Sequence, residues 1–409
     1  MDLKNTSPFF FFALLISVTK ALDPSCASQS DGSDDLSIIP TYSKCSPFSS
    51  PKTDSLVTIV LNMASKDPTR VNYLSTPVPQ KTTSASIASG QQVLNIANYV
   101  VQLKLGTPSQ LMNIVLDTSN DIAWAPCSGC TGCSSTTFSP NSSSTYGSLE
   151  CSVSECAQAR GLSCPATGST ATLVQDVLRL GKDVIPKYSF GCINSISGGS
   201  IPSQGLLGLG RGSMSLLSQS GSLYFGVSLK LGPPGQPKLI RTTPLLRNPR
   251  RRSLYYVNLT GISVGRVLVP ISPELLAFNP NTEAGTIINL GTIITRFVPP
   301  VYTALRDEFR KQVKGTFSSL GAFDTCFSAT NEVVAPTITL QFTGLKLTLS
   351  SENSLIHSSS GSLACLAMTV APNNVNSVLN VIANLQQQNL RILFDVANSV
   401  VGIARESCN

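Results

Sequence analysis

Two short stretches of the chain share a pattern that could carry acid/base chemistry. "NIVLDTSND" (residues 113–121) and "GTIINLGTII" (285–294) each place a branched apolar run before a turn. The first run ends at Asp117 and the second at Asn289. Two facing carboxylates can divide the general acid and general base roles of hydrolysis, whereas an amide carries no such titratable group. The pattern therefore raises the question of a two-carboxylate site that has lost one carboxylate.

Composition excludes most other hydrolytic chemistry. The chain contains one histidine, His357, in the polar stretch "NSLIHSSSGS", so Ser-His-Asp or Cys-His catalysis would depend on it alone. Cys127, Cys130 and Cys133 in "PCSGCTGC" have a spacing that zinc sites use. In an oxidising compartment, and without histidine partners, they indicate disulfides instead. We expect no metal and no cofactor.

The N-terminus indicates export. Lys4 precedes an apolar run from Phe9 to Val18, followed by Thr19-Lys20-Ala21. This run is too short to cross a bilayer, which needs about 20 residues, but it suits the core of a signal peptide covering residues 1–21. We therefore expect a secreted, extracellular protein that does not stay in the membrane once the signal is removed. Its 12 cysteines are then typical of disulfides.

Changes in composition divide the 409 residues into segments. Only 12% of the residues are charged, about half the usual ~25%, and Ser, Thr, Gly and Pro are frequent, which favours short strands and turns. We expect a propeptide-like leader at 22–92, removable or loosely packed, with one helical stretch in "SLVTIVLNMASKD". An N-terminal β lobe with a cysteine-rich insert should cover 93–240, and a C-terminal β lobe 241–409. No stretch of the sequence interleaves basic and aromatic residues as a nucleic-acid-binding surface would.

A weak internal duplication predicts how the two active stretches meet. The stretch ending at Asp117 is followed later by "LLGLG" (206–210), and the stretch ending at Asn289 by "VIANL" (381–385). Two similar β lobes around a cleft would bring the two turns face to face. The glycines of "GLLGLGRG" lack the Lys-Ser/Thr ending of a phosphate loop, so we interpret them as close backbone packing between strands.

One convincing helix is predicted, at "PPVYTALRDEFRKQV". Pro300 suits the first turn, and an apolar stripe repeats at steps of four residues. The stripe, which we expect to be core, consists of Val301, Leu305, Phe309 and Val313.

Several motifs together resemble the pepsin-like aspartic proteases (peptidase family A1), in their plant nepenthesin-like branch. The motifs are "NYVVQLKLGTPSQ", "LDTSND", "CSGCTGC", "FGC" (190–192), "GLLGLGRG", "LYYVNLTGISVG", "FDTC" (323–326), "CLAM" (365–368) and "NVIANLQQQN". The resemblance implies an all-β, bilobal pepsin-like fold with two similar β lobes around a central cleft and a disulfide-stapled insert in the N-terminal lobe. It also implies endopeptidase activity in acid and secretion into the plant apoplast or cell wall.

The family mechanism assigns roles to the first turn. Two aspartates share a proton across the cleft, one activating a water and the other protonating the peptide carbonyl oxygen. Asp117, Thr118 and Ser119 stand where the family has Asp-Thr/Ser-Gly. Ser119 in place of glycine narrows the freedom of the backbone in a tight turn, a change that a small residue should tolerate.

The second turn departs further from the family pattern. Asn289, Leu290 and Gly291 stand where Asp-Ser/Thr-Gly is expected. Asn289 keeps the shape of an aspartate without its charge or its exchangeable proton. Leu290 removes a hydroxyl that, in the family, hydrogen-bonds between the two active turns. We expect catalysis to be strongly impaired.

Two segments of the family also look missing. No tyrosine lies between Tyr146 and Tyr188, so we expect that the β-hairpin flap over the substrate is deleted. The stretch "GSLYFGVSLKLGPPG" is short, which would leave Cys408 without its family partner, while Cys326 and Cys365 are an implied disulfide of the second lobe. A sequencing or gene-model error, with exons joined wrongly, would explain the two missing segments. It explains Asn289 poorly, because that residue lies inside an otherwise intact motif.

Three functional hypotheses follow. The first is an aspartic endopeptidase, with this copy impaired. The second is a catalytically inactive pseudoprotease that binds peptides or a secreted protein partner in the same cleft. The third is a decayed copy whose product is unstable. We expect a monomer that binds a peptide or protein in its cleft and no nucleic acid, with glycosylation candidates at Asn141 and Asn258.

Overall fold

Alternating apolar and polar residues build short strands along most of the chain. In "YVVQLKL", for example, Val101, Leu103 and Leu105 are buried while Gln102 and Lys104 are exposed, as a strand with one face on the core requires. The computed structural model describes residues 39–40, 58, 60–61, 64–65, 67, 98–133, 136–149, 171–180, 183–196, 202–219, 226–230, 240–329, 335–358, 360–372, 378–396 and 398–405.

The described strands up to Gly208, which we call the first half, form one sheet; the described strands from Gly226 onward are the second half. The strands of the first half are β1 (Ile39–Pro40), β2 (Tyr99–Leu105), β3 (Gln110–Asp117), β4 (Trp124–Thr131), β5 (Gly147–Ser148), β6 (Ala171–Leu180), β7 (Asp183–Ser195) and β8 (Leu206–Gly208). Their order is β1-β2-β3-β8-β4-β7-β6-β5, and a further pairing of β2 with β6 closes the sheet on itself. Closing the sheet pairs strand edges that would otherwise be exposed. The apolar side chains of these strands then face the interior of the closed sheet.

The second half supplies the remaining described strands. They are β9 (Gly226–Lys230), β10 (Arg241–Leu246), β11 (Tyr256–Val257), β12 (Leu259–Val264), β13 (Val267–Leu268), β14 (Gly285–Ile288), β15 (Thr295–Phe297), β16 (Ser318–Leu320), β17 (Phe323–Ser328), β18 (Ile338–Phe342), β19 (Leu345–Thr348), β20 (Leu355–His357), β21 (Leu363–Leu366), β22 (Met368–Val370), β23 (Leu379–Ile382), β24 (Leu390–Asp395) and β25 (Val400–Arg405). Helices are α1 (Leu216–Gln219), α2 (Pro299–Gln312), α3 (Ser351–Ser354) and α4 (Asn384–Gln387), with 3₁₀ turns at Pro140–Ser142 and Pro273–Leu275.

Among these strands a long sheet runs in the order β22-β15-β23-β14-β11-β10-β25-β24-β9. Its last strand, β9, comes from within the range predicted for the N-terminal lobe, and it pairs antiparallel with β24. Two smaller sheets, β13-β12-β18-β19 and β16-β17-β21-β20, complete the second half. The all-β prediction is therefore confirmed.

The duplication inferred from the sequence is a repeated strand arrangement. In the first half, β8 lies parallel to β3 and antiparallel to β4, and β7 lies parallel to β4. In the second half, β23 lies parallel to β14 and antiparallel to β15, and β22 lies parallel to β15. Each half thus inserts a later strand between the two strands that flank an active turn. "LLGLG" begins with the inserted strand β8, and the inserted strand β23 ends with the first two residues of "VIANL".

The helix predicted around residue 300 is α2. Pro299 and Pro300 begin it, which suits the fixed φ of proline in a first turn, and Val313 is the residue that caps it. The predicted apolar stripe is confirmed as core: Val301, Leu305, Phe309 and Val313 are all buried.

Three disulfides join described residues. Cys127 on β4 is bonded to Cys192 on β7, with Cα atoms 5.5 Å apart, and Cys130 is bonded to the nearby Cys133. Cys326 on β17 is bonded to Cys365 on the adjacent β21, and both side chains are fully buried. Within the described ranges, no group of His, Cys, Asp and Glu is placed to hold a metal ion.

Part of the predicted leader packs tightly against the rest of the protein. Val60 and Ala64 are fully buried, and Asp67 is buried as well. The described residues Thr58, Val60, Leu61, Ala64 and Asp67 are helical, in agreement with the predicted helical stretch. The apolar residues of this segment lie in the core of the second half, while the extent of the leader and its removal stay predictions.

Candidate active site

The first active turn begins where β3 ends. Asp117 is 3% exposed, and its Oδ1 accepts hydrogen bonds from the Ser119 amide (2.8 Å) and the Ser119 hydroxyl (2.6 Å). The Asn120 side-chain amide, through Nδ2, donates to Asp117 Oδ2 at 2.7 Å. Ser119 holds this turn without a positive φ, so its side chain costs no backbone strain and adds a donor. The two carboxylate oxygens of Asp117 therefore accept hydrogen bonds from three donors of the same turn.

Glycines in the "GLLGLGRG" stretch make room for this turn. A Cβ at Gly208 would lie 2.3 Å from the Asp121 carbonyl oxygen, and a Cβ at Gly210 or Gly212 would lie 2.2–2.3 Å from its carboxylate oxygens. These glycines therefore pack closely against the turn that follows β3, where the sequence predicted close packing between strands. The Leu209 amide donates to the Asp117 carbonyl at 2.8 Å. The stretch is therefore the support of the first active turn.

The second active turn follows β14. Asn289 is fully buried, and its Oδ1 accepts a hydrogen bond from the Thr292 amide at 2.6 Å. Its Nδ2 has no hydrogen-bond partner in the described part of the chain. A buried amide donor without a partner is costly, by ~1–3 kcal/mol, and is available to an acceptor that enters the site. Leu290 is fully buried within the main apolar core.

The structure brings the two turns together, as the duplication predicts. The Leu290 amide donates to the Thr118 hydroxyl at 3.0 Å, across 172 positions of sequence. A Cβ at Gly291 would lie 2.7 Å from the Asp117 carboxyl carbon, so only glycine lets the second turn come this close. The two turns therefore lie against each other, with Asp117 on the first and Asn289 on the second.

The contact between Thr118 and Leu290 yields a stability prediction. We expect Thr118→Val to lower the free energy of unfolding by about 1–3 kcal/mol, because the buried Leu290 amide loses its acceptor. Thr118→Ser keeps the hydroxyl and is the matched control, with a loss below about 1 kcal/mol. Urea unfolding followed by circular dichroism measures both. Equal losses in the two variants would show that the hydrogen bond contributes nothing.

Buried amide side chains hold the second turn in place, and the sequence analysis did not assign them this role. Asn98, just before β2, donates to the Gly291 carbonyl at 3.1 Å. Asn384 donates to the Leu290 carbonyl and Gln387 to the Asn289 carbonyl, each at 3.1 Å. The available signal was a run of amides beside apolar residues in "NVIANLQQQN", since buried amides need specific partners.

The other predicted sites are spread over the molecule or lie outside the described residues. Asn141 is exposed in the 3₁₀ turn at Pro140–Ser142. Asn258 is half-buried, and its Nδ2 donates to the Thr343 hydroxyl at 2.9 Å. The predicted signal peptide, the position after Cys164 at which the flap was expected to be deleted, and Cys408 all lie outside the described residues. No described helix has both the length and the apolar character needed to cross a membrane.

Sequence comparisons place the chain among known proteins. Residues 99–234 match the family "Xylanase inhibitor N-terminal" and residues 254–405 match "Xylanase inhibitor C-terminal". "Aspartyl protease AED3" of Arabidopsis thaliana is 59% identical, over 98% of each chain. "Aspartyl protease 25" of Oryza sativa subsp. japonica is 48% identical, over 88% of this chain and 93% of the relative. "Aspartic proteinase nepenthesin-1" of Nepenthes gracilis is 31% identical, over 76% and 78%.

The alignment with the Arabidopsis protein bears on the expected deletions. It runs over 442 residues, more than the 409 residues of this chain, so the relative has residues without a counterpart here. This agrees with segments missing from the chain.

Solved structures support the fold. The chain superposes on the crystal structure of edgp with a TM-score of 0.62 at 19% identity, covering 80% of this chain and 96% of that one. The basic 7S globulin from soybean gives a TM-score of 0.58 at 20% identity, covering 76% and 94%. With two repeated β halves, facing active turns and relatives at up to 59% identity among aspartyl proteases, the chain belongs to the plant pepsin-like (A1) aspartic proteases, a family of aspartic-type endopeptidases.

Proposed function

We propose that this chain is an impaired aspartic endopeptidase whose cleft binds peptides but hydrolyses them poorly. The observation that carries the proposal is Asn289, fully buried at the position of the second catalytic aspartate. In the intact mechanism one carboxylate accepts a proton from water while its protonated partner supplies one to the peptide carbonyl. Asn289 can do neither, so only Asp117 retains its part.

The magnitude of the impairment follows from this division of work. Losing one general acid or base costs ~10²–10⁴ in rate. Losing a member of a catalytic set that acts as a unit costs as much as ~10⁶. Leu290 adds to the loss, because no hydroxyl at that position is available to hydrogen-bond back to the first turn. When Asp117 alone activates the water, the peptide carbonyl oxygen, which gains negative charge as the water attacks it, has no carboxyl group to protonate it.

Binding is less affected than catalysis. Asp117 keeps carboxylate oxygens that accept hydrogen bonds, and the buried Asn289 Nδ2 is a donor with no partner among the described residues, so we propose that a bound peptide backbone bonds both groups. The alternative function is therefore a pseudoprotease that binds peptides or a secreted protein. The matched families are named for xylanase inhibitors, which favours a secreted glycosidase as the protein partner for that alternative.

A binding measurement tests this part of the proposal. We expect calorimetry at acid pH to detect pepstatin binding to the folded protein. Asp117→Ala should weaken it about 10–100-fold, since hydrogen bonds to a charged group are worth ~1.5–3 kcal/mol. Asn289→Leu should weaken it about 3–10-fold through the lost donor. If neither substitution changes affinity, the ligand does not occupy this site.

Export and processing complete the proposal. A signal peptide at 1–21 would direct the protein to the extracellular space, in the plant apoplast or cell wall, with a leader at 22–92 and lobes at 93–240 and 241–409. Asn141 is the better glycosylation candidate, because it is exposed, whereas Asn258 already donates to Thr343. We propose a monomer.

A further inference from the structure

A helical segment of the leader is bonded to the chain directly after the second active turn. The Asp67 carboxylate accepts hydrogen bonds from the amides of Ile293 (3.3 Å) and Ile294 (3.0 Å). In the opposite direction, the Arg296 guanidinium donates to the Ala64 carbonyl at 2.6 Å. These contacts join positions more than 220 residues apart in sequence.

The charges at this contact are buried on both sides. The Arg296 and Asp67 side chains are 3% and 4% exposed, and Arg296 Nε lies 3.8 Å from Asp67 Oδ2. Burial lowers the pKa of Arg296, and the nearby Asp67 charge partly offsets that effect. Arg296 also donates to the Val370 carbonyl at 3.1 Å. Without the leader, Arg296 would lose its only nearby carboxylate among the described residues while staying in an apolar setting.

Apolar packing gives the segment a shaped groove. Val60 and Ala64 are fully buried in a cluster that contains the Cys326–Cys365 disulfide. The rest of that cluster is Ile293, Ile294, Phe323, Ile356, Ala367 and Leu385. A Cβ at Gly321 would lie 2.6 Å from Leu61 Cδ2, so the glycine gives Leu61 its place. Complementary apolar and polar contacts of this kind are typical of a helix bound in a groove.

We propose that the leader segment containing Val60, Ala64 and Asp67 is a resident ligand of the second lobe, which stays bound after the leader is cut and positions the second active turn. Ile293 and Ile294 lie between the leader and α4, since the Leu385 amide donates to the Ile293 carbonyl at 3.1 Å. The same stretch leads back to Asn289 through Thr292, whose amide bonds Asn289 Oδ1. Asp67 is thus a positioning residue, acting through residues 292–294.

A second leader contact works in the same direction. β1 pairs antiparallel with β2, with Ile39 opposite Val100 and Pro40 opposite Tyr99. Asn98, directly before β2, donates to the Gly291 carbonyl. The leader therefore contacts both halves of the molecule next to residues that hold the second turn.

The test cuts the leader after folding. A site-specific protease sequence is inserted within residues 80–91 of the full chain lacking its signal peptide, and the cut protein is passed over a size-exclusion column. We expect the leader to elute with the body. Asp67→Ala should speed its dissociation at least about 30-fold, as truncating one side of a buried hydrogen-bonded charge does. Asp307→Asn, which removes an exposed carboxylate on α2, is the matched control and should change nothing.

Amide exchange separates positioning from simple attachment. In the cut wild type, the Ile293 and Ile294 amides should stay protected. With Asp67→Ala they should exchange at least about 30-fold faster, while exchange of the Leu209 amide, which donates to the Asp117 carbonyl, is unchanged. If Asp67→Ala fails to fold, synthetic leader peptides of residues 55–70 are added to a wild-type body stripped of its leader. The wild-type peptide should restore protection, and the Asp67→Ala peptide should not.

A leader that elutes alone, with exchange at residues 293 and 294 unchanged, would overturn the proposal. So would equal rescue by the two peptides. These measurements follow binding and exchange, not cleavage, so they succeed or fail independently of the proposed catalytic impairment.

Discussion

Asn289→Asp combined with Leu290→Ser is expected to raise acid peptidase turnover at least ~10²-fold over the wild-type chain. The buried Asn289 side chain already has the position and the Thr292 contact of a site carboxylate, so aspartate should fit there without rearrangement. An aspartate at position 289 restores the shared proton, because two carboxyl groups in contact do not both lose their protons. The serine returns a hydroxyl to the turn opposite Thr118.

The measurement is the initial rate of peptide cleavage at acid pH, with and without pepstatin, on protein shown to be folded. Adding Asp117→Ala to the double variant is the control and should abolish the gain. Asn289→Asp alone should recover part of it. If the folded double variant gains nothing, Asn289 is not the main lesion, and the deletion expected after Cys164 becomes the better explanation of the lost activity.

Removing the Cys326–Cys365 disulfide should lower the stability of the protein by a large amount. The bond closes a loop of 39 residues, and cross-linking a loop of that length contributes about 4 kcal/mol by restricting the unfolded chain. A whole domain is stable by only ~5–15 kcal/mol. We therefore expect Cys326→Ala with Cys365→Ala to lose about 4 kcal/mol in denaturant unfolding, and to loosen the groove that holds Val60 and Ala64.

The matched control is Cys130→Ala with Cys133→Ala. That bond spans three positions and is partly exposed, so its loss should cost about half as much on the same loop-entropy argument. A loss below about 1 kcal/mol for the Cys326 and Cys365 pair would contradict the stabilising role of that disulfide.

The repeated β arrangement and the facing turns were predictable, because they rest on local patterns. The apolar run before each turn and the later "LLGLG" and "VIANL" strands recur at matching places, so the two halves had to place Asp117 and Asn289 alike. The helix at Pro299–Gln312 followed from its prolines and its apolar stripe, both of which act within one or two turns.

The supports of the site were not predictable, because they join residues far apart in sequence. Asn98 donates to the Gly291 carbonyl and Gln387 donates to the Asn289 carbonyl. The sequence around Asn98 or Gln387 does not indicate which carbonyl its side chain bonds. Asp67 accepts a hydrogen bond from the Ile294 amide, 227 positions away, and no local pattern in the sequence indicates that contact. The pairing of β9 with β24 is similarly long-range, and local alternation does not select a partner strand.

The central claim is that a carboxylate facing an amide does not turn over peptide at the rate of an intact pair. The most direct measurement compares cleavage at acid pH by the folded wild type with cleavage by Asp117→Ala, each with and without pepstatin. We predict rates within about tenfold of each other, because the cooperative pair is already broken at Asn289. Pepstatin-sensitive cleavage by the wild type at least ~10² times faster than by Asp117→Ala would contradict the claim.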